Sequence, residues 1–195
     1  GMQIEPKYYV PVLPMILING TSGIGTGWST DIPNFDPLEV LNNIKKYLDD
    51  KPLIDLQPHY NKFKGNIEKI DNNVYLSKGI YEVVGNKIII KELPIGMWTD
   101  NYKNFLESII VDNKNSSKKQ LIRYYNSYCT DTDVHFEIFV NMDEEDVEDL
   151  KFYDEKLKMS KLEKMFKLTT NINLTNMVLF DKDYNLKKYN TINDI

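Results

Sequence analysis

The sequence has no alanine, one arginine against 23 lysines, two histidines and a single cysteine, Cys129. One thiol excludes a disulfide scaffold and a multi-thiolate zinc site, and suits a reducing compartment. His59 and His135 stand 76 positions apart and Cys129 has no partner motif, so neither metal ligation nor Cys/His chemistry finds its constellation. No apolar run approaches the roughly 18 residues of a membrane helix. The longest, residues 10–18, is interrupted by Pro11 and Pro14, which excludes a transmembrane helix. Neither a basic nor an apolar leader region follows Gly1-Met2, so no signal peptide is expected. The missing alanine and the 21 asparagines mark an AT-rich coding bias, and the lysine count therefore says little about nucleic-acid binding.

What is present describes a globular chain: 195 residues, 42% hydrophobic and 12% aromatic, are enough to bury a core. The net charge of -5 is local, because residues 141–163 hold nine acids and four lysines while the remaining chain balances. Eight of the thirteen residues 143–155 are acidic. That stretch reads as a solvated helix face or an insertion with few apolar anchors, and is expected to be the least ordered part. A domain-wide positive footprint for DNA is absent, so any nucleic-acid contact must be local.

Residues 8–19 are β-branched and apolar with two prolines, which predicts an extended edge or bent strand. Asp36-Pro37-Leu38-Glu39 supplies an N-cap, a proline at the first helical position and a capping-box acid. The helix that follows, 37–48, is expected to bury Leu38, Leu41, Ile44 and Leu48. Short strands follow at 74–76, 80–84 and 87–90, with Gly85-Asn86 as a two-residue hairpin turn. Thr99 is expected to cap a second helix with Tyr102, Leu106, Ile109 and Ile110 inward; 112–117 reads as a polar loop and 121–128 as helix or strand. Val134, Phe136, Ile138 and Val140 alternate as a half-buried strand. A third helix is expected in parts of 142–166, then strands at 177–180 and 186–189 around a turn. Thr191 and Asp194 have the cap-and-acid spacing of a helix start, and the chain stops within one turn, so it reads as a segment of a longer protein. The pattern as a whole predicts an α+β fold, with a mixed, mainly antiparallel sheet and packed helices.

The loop Gly20-Thr21-Ser22-Gly23-Ile24-Gly25-Thr26-Gly27-Trp28 invites a phosphate-binding reading, and its spacing refuses it. A dinucleotide fingerprint from Gly23 would need glycine where Trp28 stands, and a P-loop from Gly20 meets Thr26 in place of its lysine. Two readings remain: a turn or β-wing tip that uses positive φ, or glycines that let backbone approach a polyanion while Ile24 acts as a wedge. Thr130-Asp131-Thr132-Asp133 lacks the further ligands and the glycine of a calcium loop, and reads as a turn leading into a strand. Trp28 and Trp98 read as core or interface anchors.

Several motifs together carry a resemblance. They are Glu5-Pro6-Lys7-Tyr8-Tyr9-Val10-Pro11 with Pro14-Met15-Ile16-Leu17-Ile18-Asn19-Gly20, Gly23-Ile24-Gly25-Thr26-Gly27-Trp28-Ser29, Ile32-Pro33-Asn34-Phe35-Asp36, Phe63-Lys64-Gly65, Glu92-Leu93-Pro94, Thr130-Asp131-Thr132 and Asn176-Met177-Val178-Leu179-Phe180-Asp181. The chain closely resembles eukaryotic-type DNA topoisomerase II along nearly its whole length, departing at 112–117 and around 143–158. The resemblance implies the end of the winged-helix/β-wing region over 1–33 and the tower domain over 34–195. It implies double-stranded DNA, the rest of the polypeptide and a second copy as partners, no membrane, and a nuclear enzyme. Catalytic tyrosine, Mg2+ and ATP sites would lie in other parts of that enzyme, and no catalytic, metal or cofactor residue is expected here. Arg123-Tyr124 copies the family's arginine-tyrosine pair, but stands ahead of Thr130-Asp131-Thr132 and so reads as structural. Ile24 matches the isoleucine that inserts between base pairs; Gly23, Gly25 and Thr26 are expected to meet DNA beside it, and Lys62 and Lys64 to meet phosphate. The rival expectation is a DNA-independent interaction module with an acidic surface.

Overall fold

A period of two in the strands and of three to four in the helices sorts the chain into its elements. The computed structural model describes residues 1, 4, 10–114 and 121–195. In chain order these are α1 (Met15–Asn19), β1 (Thr21–Ile24), β2 (Ser29–Ile32), α2 (Pro37–Leu48), β3 (Asn66–Asp71), β4 (Val74–Lys78), β5 (Ile80–Val84), β6 (Lys87–Glu92), α3 (Thr99–Lys114) and β7 (Ile122–Ser127). Then come β8 (Phe136–Val140), α4 (Glu144–Leu150), β9 (Tyr153–Asp154), β10 (Met159–Ser160), α5 (Lys161–Met165), β11 (Thr169–Asn173), β12 (Met177–Phe180), β13 (Leu186–Tyr189) and a 3-10 turn (Ile192–Asp194). The fold is α+β with antiparallel sheets, as the pattern predicts. It divides into two units, Gly1–Asn61 with Asn173–Ile195, and Lys62–Ile172.

In the second unit, an antiparallel sheet of order β5-β6-β8-β7 buries alternate residues. Phe136, Ile138 and Val140 of β8 face the core, where they meet Tyr102 and Leu106 of α3, Leu162 and Phe166 around α5, and Val147 of α4. The Tyr102 hydroxyl donates to the Phe166 carbonyl at 2.9 Å, and burial pushes this phenol far above its ordinary pKa. A second sheet has the order β11-β4-β3. Its buried Ser77 Oγ accepts from the Ile95 N–H at 2.9 Å. Ser160 and Glu163 form a reciprocal capping box at the head of α5.

In the first unit, the N-cap of α2 is Asp36, whose carboxylate accepts from Leu38 N–H, with Pro37 at the first position. The predicted bounds hold, but only half of the predicted buried side does: Leu41 and Ile44 are half-buried. Val40 and Asn43 face inward, whereas Leu38 is 70% exposed and Leu48 75%. The cause is Asn43, whose amide donates to Ile54 O at 2.8 Å and accepts from Ile54 N–H at 3.1 Å. A buried amide satisfied on both sides fixes which face of the helix turns inward.

Several expectations need correction. The apolar run of residues 8–19 yields a helix over Met15–Asn19 instead of a strand, since Pro14, at φ -67, sits at the N-cap, where a missing N–H costs nothing. Residues 8 and 9 of that run lie outside the described residues. The loop expected at 112–117 is helical through Lys114, and 115–117 also lie outside. The acidic region holds two short helices, in parts of 142–166 as expected, with the β9–β10 hairpin between them, and Val147, 1% exposed, packs in the core. Neither tryptophan is a core residue: Trp28 is 53% and Trp98 75% exposed. The stretch 121–128 resolves as β7, and Thr191 with Asp194 forms the expected capping box. Among the described residues no helix is long and apolar enough to cross a membrane.

Candidate nucleic-acid interface

β1 and β2 pair in register, Thr21 with Ile32 through Ile24 with Ser29, so the glycine loop closes a hairpin. At its base a side chain on Gly20 would stand 2.6 Å from Asn34 Oδ1 and 2.7 Å from Ile32 O, which leaves room for glycine alone. At the tip Gly25 N–H donates to Trp28 O at 2.8 Å, and Gly27 takes the left-handed φ of +80 that closes the turn. Neither Gly23 nor Gly25 takes a positive φ; a side chain on Gly23 would meet nothing and one on Gly25 only Trp28 O at 3.7 Å, so they supply access to the backbone instead of conformation. Ile24 between them is 95% exposed. Thr26 is exposed on the same turn. An apolar side chain that packs on nothing thus stands on a short turn of accessible backbone.

The hairpin is held from one side. Asp31 N–H donates to Asn176 O at 2.8 Å, Val178 N–H to Thr30 Oγ1 at 3.2 Å and Asn176 Nδ2 to Ser29 Oγ at 2.9 Å. Nearby Tyr60 has its hydroxyl pKa pushed up to about 12, first by burial and then by the charge of Asp31. None of these partners is legible in the sequence, because they lie some 147 positions from the loop.

Gly23, Ile24, Gly25 and Thr26 thus come together on one turn. Lys62 and Lys64 belong to the other unit. Lys62 is exposed, in the left-handed region at φ +65, with no ion-pair partner among the described residues. Lys64 Nζ donates to Asp133 Oδ1 at 2.7 Å. That hydrogen bond holds the Asp133 carboxyl below its ordinary range and raises the lysine. The turn 130–133 presents Asp133: Thr130 Oγ1 accepts from the backbone N–H of Thr132 and Asp133, and Thr130 N–H donates to Asp133 O. It is a hydrogen-bonded turn, as expected, and its Asp133 pairs with Lys64.

Other chemistry is sparse. Among the described residues no three His, Cys, Asp or Glu side chains gather to hold a metal. Tyr124 stacks on Phe139 at 4.4 Å on the sheet surface, and Arg123 Nε donates to Asn141 Oδ1. Cys129 Sγ accepts from His135 N–H at 3.4 Å. A cleft of about 370 Å³ in the first unit is lined by Leu17, Val40, Ile44, Leu53 and Ile192, and its one buried polar group, Asn43, is already satisfied.

With this geometry in view, comparison with known proteins places the chain in a class. Residues 1–195 match the family model for DNA gyrase and topoisomerase IV (the A-type polypeptide of those enzymes), and the chain belongs to that family. It is 42% identical over 201 residues to DNA topoisomerase 2-alpha of Cricetulus griseus, covering 100% of this chain and 12% of that protein. It is 41% identical over 196 residues to DNA topoisomerase 2 of Plasmodium falciparum, covering 100% of this chain and 13% of that one. The crystal structure of the Plasmodium falciparum topoisomerase II DNA-binding, cleavage and re-ligation domain superposes with a TM-score of 0.83 at 41% identity, over 98% of this chain and 24% of that one. The chain therefore spans about an eighth of the length of these curated relatives.

Proposed function

We propose that this chain is a DNA-bending part of the DNA gate of a type II topoisomerase, an enzyme that passes one duplex through a transient double-strand break in another. The carrying observation is Ile24, 95% exposed at a hairpin tip between two glycines. Inserting an apolar side chain at a base step costs partial unstacking, and the bent duplex repays it by meeting more protein. Gly23 and Gly25 let phosphodiester backbone approach, Thr26 offers a hydroxyl, and Lys62 supplies a free ammonium to a phosphate. Lys64 serves chiefly through its pairing with Asp133. In this reading residues 1–33 end the β-wing region and 34–195 form the tower. The cleaving tyrosine, Mg2+ and ATP belong to other parts of a homodimeric, nuclear enzyme.

The matches along the whole chain do not favour a DNA-independent acidic module. A direct test places 2-aminopurine beside the bent step of a bound duplex in the full-length enzyme. Unstacking should raise its fluorescence with wild-type protein and leave it near the free-duplex level with Ile24→Ala. An equal rise with both proteins would defeat the reading.

A further inference from the structure

The β1–β2 hairpin has four residues in each strand, and a lone two-stranded hairpin is marginal in water. A side chain that pushes on stacked bases needs a mount stiffer than that. The structure supplies one in a row of hydrogen bonds to the start of β12, all of them on the return strand. Asp31 N–H donates to Asn176 O at 2.8 Å, Thr30 Oγ1 accepts from Val178 N–H at 3.2 Å and reaches Asn176 O at 3.5 Å, and Asn176 Nδ2 donates to Ser29 Oγ at 2.9 Å. Ser29 is the register partner of Ile24 and Thr30 that of Gly23, so the row lies directly across from the tip. β12 is itself paired along its length with β13.

We infer that Thr30 and Asn176 are positioning residues for DNA bending, which join the return strand to the β12–β13 hairpin and keep Ile24 from folding back under load. The inference rests on the reading of Ile24 as a wedge. Unstacking a base step opposes the wedge with more than one neutral hydrogen bond can resist, which is why a row is needed. Thr30 carries the larger share, since its hydroxyl is part-buried and satisfies the Val178 N–H, whereas the Asn176–Ser29 bond is exposed.

The test uses the full-length enzyme and two duplexes. An intact duplex labelled at both ends reports bending by energy transfer, and a duplex with a central two-nucleotide bulge, already kinked, reports binding that needs no wedge. Thr30→Val, which keeps the shape and removes the hydroxyl, should lower the bent fraction of the intact duplex about fivefold. It should leave affinity for the bulged duplex within about twofold, and Thr30→Ser should bend as wild type does. Asn176→Ala should lower bending about twofold. Normal bending by Thr30→Val overturns the inference, and so does an equal loss on both duplexes, which would mark a general folding defect. If Thr30→Val does not fold, Asn176→Ala decides alone, and unchanged bending there is the contrary result. Ile24→Ala run in parallel separates the two readings. Normal bending by Ile24→Ala defeats the wedge and the mount together; its loss beside normal bending by Thr30→Val defeats the mount alone.

Discussion

Ile138, in the middle of the four-stranded sheet, is 0% exposed, and Ile24, on the β1–β2 tip, is 95% exposed. The first is surrounded by Tyr102, Leu106, Phe136 and Phe166 in one apolar cluster. The second has glycine on either side and no neighbour to pack on. The same side chain stabilises the fold in one place and is available to another molecule in the other. Hydrophobicity therefore does not separate a packed side chain from a presented one in this chain; what does is whether the local backbone gives the side chain neighbours.

Emptying the packed region should have the largest effect. Phe136→Ala removes the largest buried side chain of β8 and should destabilise the chain by about 3–5 kcal/mol, read from the urea midpoint. A loss under about 1 kcal/mol would mean that the core is far looser than its burial indicates. Next, Tyr102→Phe leaves the buried Phe166 carbonyl without its donor, and about 1–3 kcal/mol should be lost with little change of shape. Ser160→Ala opens the capping box of α5 and should cost about 1 kcal/mol.

The smallest effect expected from the exposed features is one of pH. Asp133 is held below its ordinary pKa by the hydrogen bond from Lys64. A depressed folded pKa gives stability that is present above the unfolded value and is lost as pH falls through the folded one. The urea midpoint should therefore decline below about pH 4, and Asp133→Asn should flatten part of that decline. Both groups are exposed, so screening keeps the effect small, and 1 M salt should nearly abolish the difference between the two proteins. A slope that is identical in wild type and Asp133→Asn would remove the pair from the account.

What the sequence made legible was local. Asp36-Pro37 set the start of α2, Gly85-Asn86 the two-residue turn between β5 and β6, and the alternation at 136–140 the buried side of β8. The exposed Ile24 followed from its flanking glycines. What stayed hidden was set by partners far along the chain. The inward face of α2 depends on Asn43 meeting Ile54, the strand β11 on pairing with β4, and the state of Lys64 on Asp133, 69 positions away. The hydrogen bonds that join β2 to β12 were hidden for the same reason, since neither Thr30 nor Asn176 announces a partner nearly 150 positions distant.

Ile24→Ala, measured in two ways, decides the role of this residue. In the isolated chain the urea midpoint should correspond to a stability within about 0.5 kcal/mol of wild type, as for an exposed position, against the 2 to 5 kcal/mol of a buried isoleucine. In the full-length enzyme the same substitution should markedly reduce the bent fraction of an end-labelled duplex. A large loss of stability, or bending equal to wild type, would contradict the claim that this isoleucine serves DNA and not the fold.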